Sequence, residues 1–190
     1  MNSPVSSPRI PPVLPSEADP AAARILRVRE RKWGRAWNVT STIANAPAVL
    51  AMMNHAWDSL GRSSLSVADR ELIAMEMAVM NGCHYCVPAH RYIAHEEAQF
   101  DPETIKQLER VARGESLPDG TRLSTMQRLV RRLVATHGGL ADDEFREFMA
   151  AGVAPQQMIE TIAEIAHCTV TNFTNRLART PLDPFLEKYR

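Results

Sequence analysis

A chain of 190 residues with 45% hydrophobic and 23% charged residues is long enough to bury one core and has the balance of a globular protein. Its 22 Lys and Arg against 22 Asp and Glu give a formal net charge of +0, which removes the long-range pull on nucleic acid and opposes self-association little. No stretch reaches the roughly 20 apolar residues of a membrane-spanning helix, and neither a secretory leader nor a disulfide-stapled scaffold is legible, so a cytoplasmic location without nucleic-acid or membrane partners is expected.

Residues 1–17 hold Pro4, Pro8, Pro11, Pro12 and Pro15, cannot form a regular helix, and read as a Pro-rich tail or a strap laid on a neighbouring surface. Residues 18–190 read as one all-helical domain. Asp19-Pro20 is an N-cap followed by proline at the first helical position. Pro47 opens a second helix, with Val49, Leu50, Met53 and Trp57 at helical spacing and Gly61 as its stop. Ser66 and Asp69 form a capping box before a third, Val67 to Met80, which is apolar nearly all round and therefore expected to be buried. Asn81-Gly82 breaks it, and a fourth helix is expected from about Cys83 to Glu97. Asp101-Pro102-Glu103 caps a fifth that ends near Gly114, and Leu123 to His137 is strongly amphipathic. A short helix from Asp142 to Ala151 has Phe145, Phe148 and Met149 on one side, and Pro155 starts a long last helix reaching about Ala178. With almost no two-residue alternation, the chain reads as an all-α bundle of about seven to eight helices.

One constellation carries chemistry: Glu71, then Cys83, Cys86 and His90. The two cysteines follow the Asn-Gly break, which puts them where a helix begins, and unpaired N–H groups there favour thiolate over thiol. Their spacing allows the sulfurs to form and break a disulfide. His90, one turn beyond Cys86, can accept and return a proton. Glu71 lies in the apolar third helix, where desolvation would raise a carboxyl's pKa and suit it to proton transfer; a structural salt bridge is its plainer reading. A c-type haem would need histidine directly after the second cysteine, where Val87 stands. A zinc-stabilised, non-catalytic module would use Cys83, Cys86 and His90 with Cys168 or His167, against the preference of zinc for paired ligand clusters. Two buried cysteines without a role are the third alternative.

This Glu-x11-Cys-x2-Cys-x3-His pattern resembles the signature of the alkylhydroperoxidase D-like (AhpD-like) branch of the carboxymuconolactone decarboxylase superfamily. Glu71, Cys83, Cys86 and His90 match it without a gap, and the resemblance runs from about Pro47 to Ala98, with the Thr180-Pro-Leu-Asp183 ending common in peroxidase-related members. It implies an AhpD-like all-helical subunit that assembles into dimers, trimers or hexamers. It also implies reduction of a small hydroperoxide through a dithiol–disulfide cycle, without a bound cofactor or metal and with an unidentified dithiol reductant. By analogy, Cys86 attacks the peroxide, Cys83 resolves the sulfenic acid, and Glu71 and His90 relay the proton. Some members carry a second histidine just before the second cysteine; Tyr85 stands there, with His84 one place earlier. Pro88, lying between Cys86 and His90, makes the helix either begin near Tyr85 or bend. The decarboxylase branch works without such a cysteine pair, which sets a lyase as the rival enzyme.

The remaining signals have plainer readings. Arg24, Arg27, Arg29, Arg31, Lys32 and Arg35 read as a solvated helix face or an oligomer contact, as do Arg128, Arg131 and Arg132. Met75, Met77 and Met80 read as core filler, His55, His95 and His137 as surface or capping residues, and Cys168 as a small buried hydrophobe. His167 can face the site from the last helix.

Overall fold

The protein is described by a computed structural model over residues 7–190, and every described element is helical. Nine α-helices follow in chain order: α1 Pro20–Trp33, α2 Asn38–Ile43, α3 Pro47–Leu60, α4 Val67–Met80, α5 Cys86–Tyr92, α6 Pro102–Ala112, α7 Arg122–Thr136, α8 Asp142–Ala150 and α9 Pro155–Ala178. A π-helical turn, Ile93–Glu97, prolongs α5, and a 3-10 turn, Pro184–Tyr189, follows α9. The expected bundle is borne out, with two additions. Sequence patterning misses α2 because Asn38-Val-Thr-Ser-Thr-Ile43 is rich in β-branched residues of low helix propensity; burial of Thr40 to Ile43 overrides that preference. The Pro184–Tyr189 turn hides behind prolines.

α4 is the central helix and packs against α5, α6, α7 and α9. Its start is the expected capping box: Asp69 N–H donates to Ser66 Oγ (3.0 Å) and Ser66 N–H to the Asp69 carboxylate (3.1 Å). Leu72, Ile73, Met75 and Met77 are buried on different sides of the helix, whereas Met80 at its end is exposed and is not core filler. The helix also buries Glu76, which Arg131 Nε (2.6 Å) and Gln127 Nε2 (2.8 Å) neutralise and hydrogen-bond from α7. Arg131 is therefore a structural partner rather than a solvated charge. In α8 only Phe148 is buried; Phe145 and Met149 are exposed, because a helix of nine residues offers a single turn to the core.

Arg29 overturns the reading of the α1 arginines as a wholly solvated face. It is 2% exposed, donates to Asn54 Oδ1 and Asp58 Oδ2 (both 2.8 Å), and its guanidinium lies 5.3 Å from the ring centroids of both Trp33 and Trp57. Hydrogen bonding on one edge and aromatic faces on the other make this burial affordable. Of the Pro-rich segment, residues 1–6 lie outside the described residues; beyond them, Arg9 and Ile10 N–H reach Ala178 O, and Val13 N–H reaches Ser41 O at 3.1 Å.

Candidate active site

The Asn-Gly break between α4 and α5 builds the site. Gly82 takes φ +59°, in the left-handed region that favours glycine, and the chain turns so that Cys83 N–H returns to Ala78 O at 2.8 Å. α5 begins at Cys86, not at the expected Cys83, so the two cysteines straddle the helix start. Pro88 is then the third residue of the helix, where a missing N–H breaks no intrahelical bond, and Tyr85 is the N-cap. Cys83 and Cys86 form a disulfide, with Cα atoms 5.4 Å apart, and Cys86 N–H donates to Cys83 Sγ at 3.2 Å. In this bonded form neither sulfur is free to be a zinc thiolate.

His84 and Tyr85, between the cysteines, pin the loop to the segment after α9. His84 Nε2 donates to Thr180 O at 2.9 Å, and the Tyr85 hydroxyl donates to Asp183, whose carboxylate also takes the Asn38 N–H. Burial, then the Asp183 charge, pushes the Tyr85 hydroxyl well above its ordinary range, and burial pushes Asp183 up too. Tyr85 is thus an anchor, not a substitute base.

Glu71 on α4 and His90 on α5 meet: His90 Nδ1 lies 2.8 Å from Glu71 Oε2. A carboxylate only accepts, so Nδ1 is the ring nitrogen that donates to Glu71, and Nε2 takes no part in that bond. Glu71 is not isolated in apolar surroundings, as the sequence suggested; this bond and a partly open cavity face it. That cavity, of about 230 Å³, is lined by Cys86, His90 and Glu71 and walled by Trp33, Trp37 and Trp57. The tryptophans pack edge to face, Trp33 against Trp57 at 5.2 Å and against Trp37 at 6.5 Å. His167 and Cys168 of α9 line the same cavity, and Cys168 is buried as expected.

Two residues of the site escape sequence reasoning. Asn172 Nδ2 and Asn175 Nδ2, both buried in α9, donate to Cys86 Sγ at 3.1 and 3.3 Å. Asn81 Nδ2 donates to Asn172 Oδ1 at 2.9 Å, which fixes the amide with its NH2 toward the sulfur. The signal for them was a pair of asparagines one turn apart on the buried face of a long helix, where asparagine is otherwise disfavoured. Cys83 instead lines a more open groove with Gly82, Val87, Arg179 and Arg190. No helix among the described residues is long and apolar enough to cross a membrane.

Residues 47–114, which include Glu71, Cys83, Cys86 and His90, match the Carboxymuconolactone decarboxylase family model. No curated protein matches the chain. Among solved structures, an uncharacterized peroxidase-related protein with an alkylhydroperoxidase AhpD core from Ralstonia eutropha JMP134 is 19% identical with TM-score 0.79, over 97% of this chain and 96% of that one. A peroxidase-related protein from Silicibacter sp. TM1040 is 16% identical with TM-score 0.71, over 100% and 92%. A cysteine-to-alanine variant of the debrominase Bmp8, in complex with 2,3,4-tribromopyrrole, is 16% identical with TM-score 0.71, over 100% and 96%. The resemblance read from the sequence is borne out, and the fold is that of the AhpD core.

Proposed function

We propose that the protein, carrying the carboxymuconolactone decarboxylase family segment on an AhpD-type fold, is a thiol-dependent peroxidase acting through Cys86 and Cys83. The observation that carries this reading is the asymmetry around one disulfide: the Cys86 sulfur receives two asparagine amides and shares a cavity with the His90–Glu71 pair. In the reduced protein the same amides would donate to a Cys86 thiolate, where a charged acceptor makes each bond stronger. His90 takes the Cys86 thiol proton on Nε2; the thiolate attacks the terminal peroxide oxygen, the O–O bond breaks, and His90 returns that proton to the alkoxide, which leaves as an alcohol. Glu71 holds the imidazole so that Nε2 faces the cavity and stabilises it when charged. Cys83 then attacks the Cys86 sulfenic acid, forming the disulfide and releasing water. An external dithiol restores both thiols, and no cofactor or metal takes part in these steps. A cytoplasmic location, where such reductants reside, and assembly into homo-oligomers accompany the reading.

One equivalent of an organic hydroperoxide added to the reduced protein tests it. Expected are loss of two of the three thiols, a Cys83–Cys86 bridge by mass spectrometry and one equivalent of alcohol. Full thiol-dependent turnover in Cys86→Ser would refute the role of that residue. A second reading, reductive removal of halogen from an aromatic ring by the same dithiol, is favoured by the three indole walls of the cavity and by the likeness in fold to the debrominase. Halide release without peroxide consumption would select it.

A further inference from the structure

The dithiol cycle uses none of three donor side chains that α9 presents to the same cavity: Glu164, His167 and Cys168. They stand at i, i+3 and i+4, so the helical repeat puts them on one face. One ligand atom from each lies within 4.8 Å of the others. Both ring nitrogens of His167 are shielded from solvent and lack a hydrogen-bond partner among the described residues. Its Nδ1 lies 3.6 Å from Glu164 Oε2, too far for a hydrogen bond. A buried polar group left in that state is costly and calls for a partner. Trp57, edge-on at 5.9 Å, holds the plane of the ring.

Glu164 divides its two oxygens. Oε1 accepts from Arg70 Nε at 2.5 Å, while Oε2 is the oxygen nearest His167. An outer cation that orients a carboxylate and leaves its second oxygen free is how ligand shells are commonly supported. Cys168 is a free thiol, buried in the same wall of the cavity. A cation bound at the sulfur would hold it as the thiolate.

We propose that Glu164, His167 and Cys168 form a binding site for one divalent ion of the zinc class on the α9 wall of the cavity. Thiolate, imidazole and carboxylate are the donor set of that class, and cobalt(II) can stand in for zinc. Three protein ligands leave a fourth position, and it opens toward the space that Cys86 and His90 also line. An ion there occupies room that a substrate would need, so zinc acts as an inhibitor of chemistry at Cys86. The site stands whether or not the peroxidase reading does, and it is distinct from a zinc held by Cys83, Cys86 and His90.

Cobalt(II) titration of the full chain with its Cys83–Cys86 disulfide formed tests the proposal, because Cys168 is then the one free thiol. Expected are a saturable thiolate-to-cobalt charge-transfer band at one ion per chain and its displacement by zinc. The band should vanish in Cys168→Ser, and affinity should weaken roughly tenfold or more in His167→Gln, in line with the sensitivity of metal sites to their shells. Absence of the band in the unmodified chain at saturating cobalt(II) overturns the proposal, independently of how any variant folds. A band that persists in folded Cys168→Ser overturns it equally.

Discussion

The two sulfurs of one disulfide sit in unlike surroundings. Cys86 faces a cavity walled by three tryptophans, takes two amide donors and has the His90–Glu71 pair beside it. Cys83 borders a separate groove edged by Arg179 and Arg190, is only 1% exposed, and its sulfur accepts the Cys86 N–H. Cysteines three apart in sequence are therefore chemically inequivalent. A sulfur with donors and a proton carrier is equipped to attack and to leave as thiolate; a sulfur without them is equipped for the resolving role.

Exchanging the two cysteines in turn is the harshest way to break that comparison. Cys86→Ser is expected to lower peroxide turnover to background, whereas Cys83→Ser should retain a single turnover that ends with a sulfenic acid at position 86, trapped by dimedone and located by mass spectrometry. Equal trapping on either remaining cysteine would make the sulfurs equivalent. Next in size, His90→Ala is expected to cost roughly 10²–10⁴-fold in kcat/KM for a hydroperoxide, the usual contribution of a positioned acid–base group. Glu71→Gln should cost less, because it removes the orienting acceptor and not the proton carrier.

The asparagine donors sharpen the comparison further. A hydrogen bond to a charged group contributes about 1.5–3 kcal/mol, so losing one should raise the thiol pKa by about one to two units. Reduced Asn172→Ala is expected to shift the pH midpoint of Cys86 alkylation upward by that amount while leaving Cys83 nearly unmoved; a shift shared by both cysteines would speak against a directed role. The smallest effect lies in stability. Because Glu164 is held below its ordinary 4.5 in the folded protein, the unfolded chain binds more protons between the two values. Stability is then present above that window and falls as pH drops through it. Melting temperature measured from about pH 5 to about pH 3 should decline more steeply for the native chain than for Glu164→Gln.

Local patterns in the chain are enough to read the helical class, the caps at Asp19, Ser66 and Asp101, the break at Asn81-Gly82, and the nearness of Glu71, Cys83, Cys86 and His90. These are legible because helical period, capping and short-range spacing act within a few residues, and because α4 and α5 are consecutive in the chain. Helix packing is what brings Asn172 and Asn175 to Cys86 across 86 and 89 residues and buries Arg29 between two tryptophans. Packing likewise makes Tyr85 an anchor on Asp183. Those contacts depend on which faces of distant helices meet, and no local period in a chain encodes that.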